Sequence, residues 1–151
     1  MYRRILVALE NSPYDAAILE HVRPLARLCQ SSLLLVHVAD GWVARNIRQL
    51  NLRESDEMRR DRDYLERTAE RLEQEGYDVE ALLAGGDPAQ EIADAAERER
   101  CDLIAMSTHG HRLLGDLVHG SVSSGVHHRC RVPLLLVRGS SGGPSAERKG
   151  K

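Results

Sequence analysis

The residues best placed to do chemistry lie close together late in the chain, in the stretch from Ser107 through Gly110 and Gly120 to Ser121. Glycine lets a main chain approach a ligand closely and tolerates positive φ. Gly110 and Gly120 bracket a loop that runs into a helix start near Gly120. The first amides of a helix have no intrahelical partner and sit at the positive end of its dipole, so they form an anion site. The Ser121 hydroxyl adds a donor there, and phosphate is the natural guest. Gly110-x4-Gly115 has the glycine spacing of a P-loop, but Asp116 stands where that motif requires lysine. Arg112 is the loop's candidate for a cation near phosphate. His109-x-His111 offers two metal ligands where zinc wants three or four, and Ser, His and Asp residues show no triad spacing. The expectation is a binding site without catalytic or metal-ligating residues. His109, His111, His119, His127 and His128 are read as surface histidines, and His37 as a packed, hydrogen-bonded core residue.

The elements that must position this loop alternate along the chain. Apolar runs at 5–9, 33–38, 79–84, 103–106 and 132–137 read as strands. Four are nearly continuous, the pattern of strands covered on both faces. The third carries Glu80 and reads as an edge strand. Ser12-Pro13 reads as an N-cap with proline at the first helical position. The helix that follows faces inward with Ile18, Val22, Leu25 and Cys29, and Pro24 should kink or shorten it. A charged helix over about 54–75 carries the stripe Met58, Leu65, Ala69 and Leu72, with supportive pairs Asp56–Arg60 and Asp63–Arg67, and Gly76 stops it. Asp87-Pro88-Ala89-Gln90 opens a third helix by a capping box, with Ile92, Ala93 and Ala96 inward. A last helix runs from about Gly120 to before Arg131. Such alternation implies an α/β fold on a parallel sheet with right-handed crossovers. In these sheets ligands bind beyond the carboxyl ends of the strands, where strand order reverses. The loops at 10–12 and 107–120 are therefore the suspects.

At these residues the chain resembles the universal stress protein family, whose ATP-binding branch carries G-x2-G-x9-G-[ST] after the fourth strand. Here the run is Ser107-x2-Gly110-x9-Gly120-Ser121, with only the first glycine replaced. Further matches are Ile5-Leu6-Val7-Ala8-Leu9 with an acid at Glu10 (glutamate for the usual aspartate), Leu35-Val36-His37-Val38, Gly86-Asp87-Pro88, and Val132-Pro133-Leu134-Leu135-Leu136-Val137. The resemblance implies one doubly wound, Rossmann-like, five-stranded parallel sheet in the order 3-2-1-4-5. It puts the main chain of Val38 on the adenine and Ala8, Leu9 and Glu10 on the adenosine side. Ribose and phosphates fall to Ser107, Gly110, Gly120, Ser121, Val122 and Ser123, with Met106 and Arg112 in the same binding set. It further implies ATP with Mg²⁺, a homodimer through strand 5, and a stress-response regulator rather than an enzyme. A nucleotide-independent regulator acting through protein contacts is the alternative, and an adenylating or ATP-cleaving enzyme a third. Trp42 reads as either a cover for the adenine end or a dimer contact.

Composition sets the outer bounds. The 151 residues suit one domain, expected over 1–138 with a disordered tail over 139–151. A chain of this size buries about two-thirds of its unfolded surface, so it needs no disulfide or metal for stability. The net charge of -2 and the five aromatic residues, none of them Phe, argue against nucleic acid. The three cysteines, Cys29, Cys101 and Cys130, have no C-x-x-C spacing and read as buried free thiols in a reducing compartment. No apolar run has the length of a signal peptide or membrane span, so a cytoplasmic protein without membrane partners is expected.

Overall fold

The computed structural model describes residues 1–39, 56–109 and 121–139. Trp42, Gly110, His111, Arg112, Gly115, His119 and Gly120 lie outside them, as does the tail beyond Gly139. Five strands form one parallel sheet: β1 (Arg4–Ala8), β2 (Ser32–Ala39), β3 (Val79–Gly85), β4 (Leu103–His109) and β5 (Leu134–Gly139). Their order is β3-β2-β1-β4-β5, so β3 is an edge strand and the order reverses between β1 and β4. Four helices connect them among the described residues: α1 (Asp15–Cys29), α2 (Asp56–Gln74), α3 (Pro88–Arg98) and α4 (Ser121–Arg129).

The continuous apolar runs become strands covered on both faces. Ile5, Val7, Leu33 and Leu35 pack with Ile18 and Val22 of α1 and with Leu65 and Leu72 of α2. Leu6, Leu34 and Ile104 turn the other way, to Ile92 and Ala96 of α3 and Val126 of α4. Burying each such side chain contributes about 1.5–3 kcal/mol. The helices change face where strand order reverses, as right-handed crossovers require.

Several local expectations change. The first helix begins at Asp15 with Tyr14 in the capping position and no side-chain cap. Ser12 acts one step earlier: its carbonyl accepts from Asp15 N (3.1 Å) and its hydroxyl from Tyr14 N (3.3 Å). Pro24 does not end the helix, which runs on to Cys29; Pro24 is exposed, and the buried face is Ile18, Leu19, Val22 and Ala26, with Leu25 and Cys29 half-buried. The side chains of Arg60 and Arg67 donate to the main-chain oxygens of Asp56 and Asp63 one turn back. In α3 the side chain of Asp87 accepts from Gln90 N (3.0 Å), half of the expected capping box; the Gln90 side chain turns instead to Asp94 and Arg129. Gly125 brings α4 against α3, where a Cβ would stand 2.7 Å from the Ala89 methyl carbon.

The carboxyl end of the sheet differs most. β4 runs to His109, past the expected end at Met106, and β5 starts at Leu134 and runs to Gly139. Gly139, assigned to the tail from sequence, is buried and pairs with His109. A Cβ there would meet Ser107 Oγ at 2.7 Å and Tyr14 Cδ1 at 2.8 Å, so a larger residue would have to displace those side chains.

Candidate functional site

The two suspect loops leave the sheet side by side. Ala8, the last residue of β1, is in register with Val36, while β2 continues three residues further, to Ala39. On the other side Val7 pairs with Ala105, and β4 continues to His109. The short middle strand leaves a notch at the switch point, about 10 Å deep at strand rise. Leu9 closes its floor by donating its N–H to Val36 O (2.8 Å).

Main-chain groups of alternate strand residues face opposite neighbours. Val36 turns its carbonyl to β1, so Val38, two residues on, turns its N–H and C=O into the notch above Leu9. Ile104 donates to Pro133 O, next to β5, so the main chain of Ser107, at odd spacing from it, turns toward β1 and the notch, while its hydroxyl lies beside Gly139 and Tyr14. Two walls thus turn main-chain groups toward one gap, a geometry that can read the hydrogen-bonding edge of a planar ring. Ser107 has an extended backbone rather than positive φ, so serine in place of the family's glycine carries no left-handed strain. Its Oγ is buried and has no hydrogen-bond partner among the described residues. A buried hydroxyl left unpaired costs about 1–3 kcal/mol.

The other expected residues divide. Ala8 and Leu9 are buried, and Leu9 turns its side chain into the core beneath α1 and α2, leaving only its main chain at the floor. Met106 is 6% exposed among the core residues beneath α3 and α4, so it backs the notch as packing. Glu10 is exposed at the rim, where its carboxylate accepts from the Ser12 hydroxyl (3.2 Å). Ser121, Val122 and Ser123 form the first turn of α4, at the positive end of its dipole.

Residues missed from sequence hold the 10–12 loop. Asp15, 2% exposed, accepts from Glu10 N (2.9 Å), Asn11 N (2.9 Å), Ser12 N (3.3 Å) and the Tyr64 hydroxyl (2.6 Å). Burial first, then the bond to Asp15, pushes the Tyr64 hydroxyl well above the usual phenol range. Asn11 is held at φ 57°, a left-handed conformation, and its side-chain amide donates to Asp61 (2.9 Å). Asp61 meets His37 Nε2 (3.1 Å), and His37 Nδ1 lies 2.8 Å from Leu9 O. His37 is thus a hydrogen-bonded core residue, as expected. The available signal was Asp61 and Thr68, polar residues at core spacing within the apolar stripe of α2.

No group of three or more metal-ligating side chains occurs among the described residues. His127 and His128 are exposed. Cys101 and Cys130 are buried, Cys29 is half-buried, and all three are free; burial pushes the Cys101 thiol up against the opposing pull of Arg4.

The family model described as "Universal stress protein family" matches residues 1–138. The chain belongs to the universal stress protein family. A universal stress protein of Methanothermobacter thermautotrophicus is 31% identical over 146 residues, covering 91% of this chain and 97% of its own. The solved structure of a universal stress protein of Methanocaldococcus jannaschii has a TM-score of 0.72 and 27% identity over 93% of this chain and 98% of its own. A universal stress protein of Archaeoglobus fulgidus, solved in complex with dAMP, has a TM-score of 0.67 and 21% identity over 90% and 98% of the two chains. The sheet order expected from the family resemblance is the one found.

Proposed function

We propose that this chain binds an adenine nucleotide, ATP with Mg²⁺, in the notch between β2 and β4, and that it works as a homodimeric cytoplasmic regulator of the stress response rather than as an enzyme. The observation that carries the reading is the buried Ser107 hydroxyl, unpartnered among the described residues, on the strand that walls the switch point. Val38 meets the adenine, the floor at Ala8 and Leu9 and the rim at Glu10 meet the adenosine, and Ser107 reaches ribose or phosphate. The amides from Ser121 to Ser123 take the phosphates, with Gly110, Arg112 and Gly120 assigned by the family pattern. A relative of the same fold holds dAMP, which supports an adenine guest. No described helix is long and apolar enough to cross a membrane.

Calorimetry with ATP and with adenosine tests the reading, together with mass spectrometry of small molecules released from the purified protein. ATP or ADP released, or a heat of ATP binding, is the expected result. An empty protein that gives no heat at millimolar nucleotide favours the nucleotide-independent alternative.

The dimer is proposed through β5, which pairs only with β4 and leaves an open edge. Leu135 packs against the core beneath α1 and tests folding more than pairing, whereas Leu136 is 49% exposed. Light scattering is expected to show a dimer at micromolar concentration, and Leu136→Glu is expected to shift it towards monomer. A monomeric wild type would overturn this part of the reading.

A further inference from the structure

The loop that forms the adenosine rim has little to hold it by its own sequence. Glu10 and Asn11 are exposed, and Asn11 carries a left-handed φ that a non-glycine residue adopts only when its surroundings hold it there. Its main-chain amides are gathered by one buried carboxylate. Asp15 gathers three consecutive loop amides, from Glu10, Asn11 and Ser12. Such an arrangement is strong, because each amide bonds to a charged acceptor. The fourth bond comes from the Tyr64 hydroxyl, 49 residues away on α2. A buried ion has to be satisfied on all sides, and Tyr64 fixes the rotamer from which Asp15 reaches all three amides. One turn earlier on α2, Asp61 takes the Asn11 side chain and, through His37, ties to the carbonyl of Leu9 at the notch floor.

We propose that Asp15 is the positioning residue of the nucleotide loop and that Tyr64 holds it in position, so that α2 sets where the main chain of residues 9–11 meets the adenosine. The proposal rests on the nucleotide reading above. Asp15 does not touch the ligand; it acts through the amides it holds.

The test uses the full-length protein with Asp15→Asn and Tyr64→Phe. Amide hydrogen exchange is followed in the nucleotide-free state, and adenosine, ATP and tripolyphosphate are titrated. Asp15→Asn turns one of the two acceptor oxygens into an NH₂ and removes the charge behind the other, so the amide facing the NH₂ loses its acceptor, the rest keep a weaker one, and the amides of Glu10, Asn11 and Ser12 should together exchange at least about tenfold faster, with those of β2 and β4 unchanged. Adenosine and ATP should then weaken by the same factor, about 5- to 20-fold, while tripolyphosphate binds as before. Tyr64→Phe removes one hydroxyl and should move the same readouts in the same direction by about threefold; it decides the matter if Asp15→Asn does not fold. A general loss of packing would instead speed exchange throughout and weaken all three ligands. Loop amides that stay protected in folded variants overturn the proposal. So do released amides with unchanged adenosine affinity, which would make Asp15 a structural residue only. A wild-type protein that binds neither adenosine nor ATP is a different failure: it overturns the nucleotide reading itself, and the positioning role with it.

Discussion

Ser107→Ala is expected to raise the melting temperature of the nucleotide-free protein while weakening ATP binding about 10- to 100-fold. The two effects have opposite signs because one atom causes both. Ser107 Oγ is buried without a partner among the described residues, and removing an unsatisfied buried hydroxyl relieves part of its desolvation cost of about 1–3 kcal/mol. For a chain of this size each kcal/mol is about 2–4 °C in melting temperature. With nucleotide bound, the same hydroxyl donates to a ribose or phosphate oxygen. A hydrogen bond to a charged group is worth about 1.5–3 kcal/mol, which is the expected loss in affinity. The neighbours leave little room for the side chain to escape, since the methylene position missing at Gly139 lies 2.7 Å from the hydroxyl. Thermal melts with and without ATP, together with calorimetry, separate the terms. A folded variant that binds ATP like the wild type would show that the hydroxyl faces packing rather than ligand.

The parallel sheet was legible because burial on both faces demands continuous apolar runs: those around Ile5 and Ile104 have nothing polar to interrupt them, and that around Leu33 has only His37. Sheet order was not legible from periodicity. Nothing in an apolar strand states its neighbour, and the order came from the resemblance carried by Ser107, Gly110, Gly120 and Ser121. Strand ends were misjudged where polar residues carry on the ladder: Ser107 and Thr108 pair with Val137 and Arg138 although neither is apolar. The start of α1 was misjudged for a related reason. Ser12-Pro13 has the composition of a cap, but Asp15 draws the preceding amides to its carboxylate, so residues 11–14 form a turn and the helix starts later.

The site was legible on its ligand side and not on its support side. Glycine and serine at a helix start announce an anion site by local chemistry alone. Asp15, Tyr64, Asp61 and His37 lie on three different elements and meet only through tertiary packing. Read singly, Asp15 is a first-turn acid and Asp61 one more charge on a charged helix. Only the position of Asp61 among Met58, Leu65, Thr68 and Leu72 marks it as inward-facing.

At the phosphate end, Ser121→Ala is expected to weaken ATP binding about 10- to 100-fold and to leave adenosine binding nearly unchanged. Ser121 opens α4, so its amide and that of Val122 have no helix carbonyl one turn back to bond and lie at the positive end of the helix dipole. A phosphate would accept from those amides and from the hydroxyl, a charged hydrogen bond worth about 1.5–3 kcal/mol. Adenosine carries no phosphate and loses nothing when the hydroxyl goes. This pattern is the reverse of that expected for Asp15→Asn, where adenosine and ATP fall together, so the two variants divide the site into a phosphate end and an adenosine end. Gly120→Val should do more than Ser121→Ala, since a branched side chain would take up space that the family pattern reserves for phosphate. Its fold is checked by circular dichroism before its affinity is measured. A folded Gly120→Val protein that binds ATP as tightly as the wild type would remove the phosphate from this end of the notch and leave Gly120 as a turn residue.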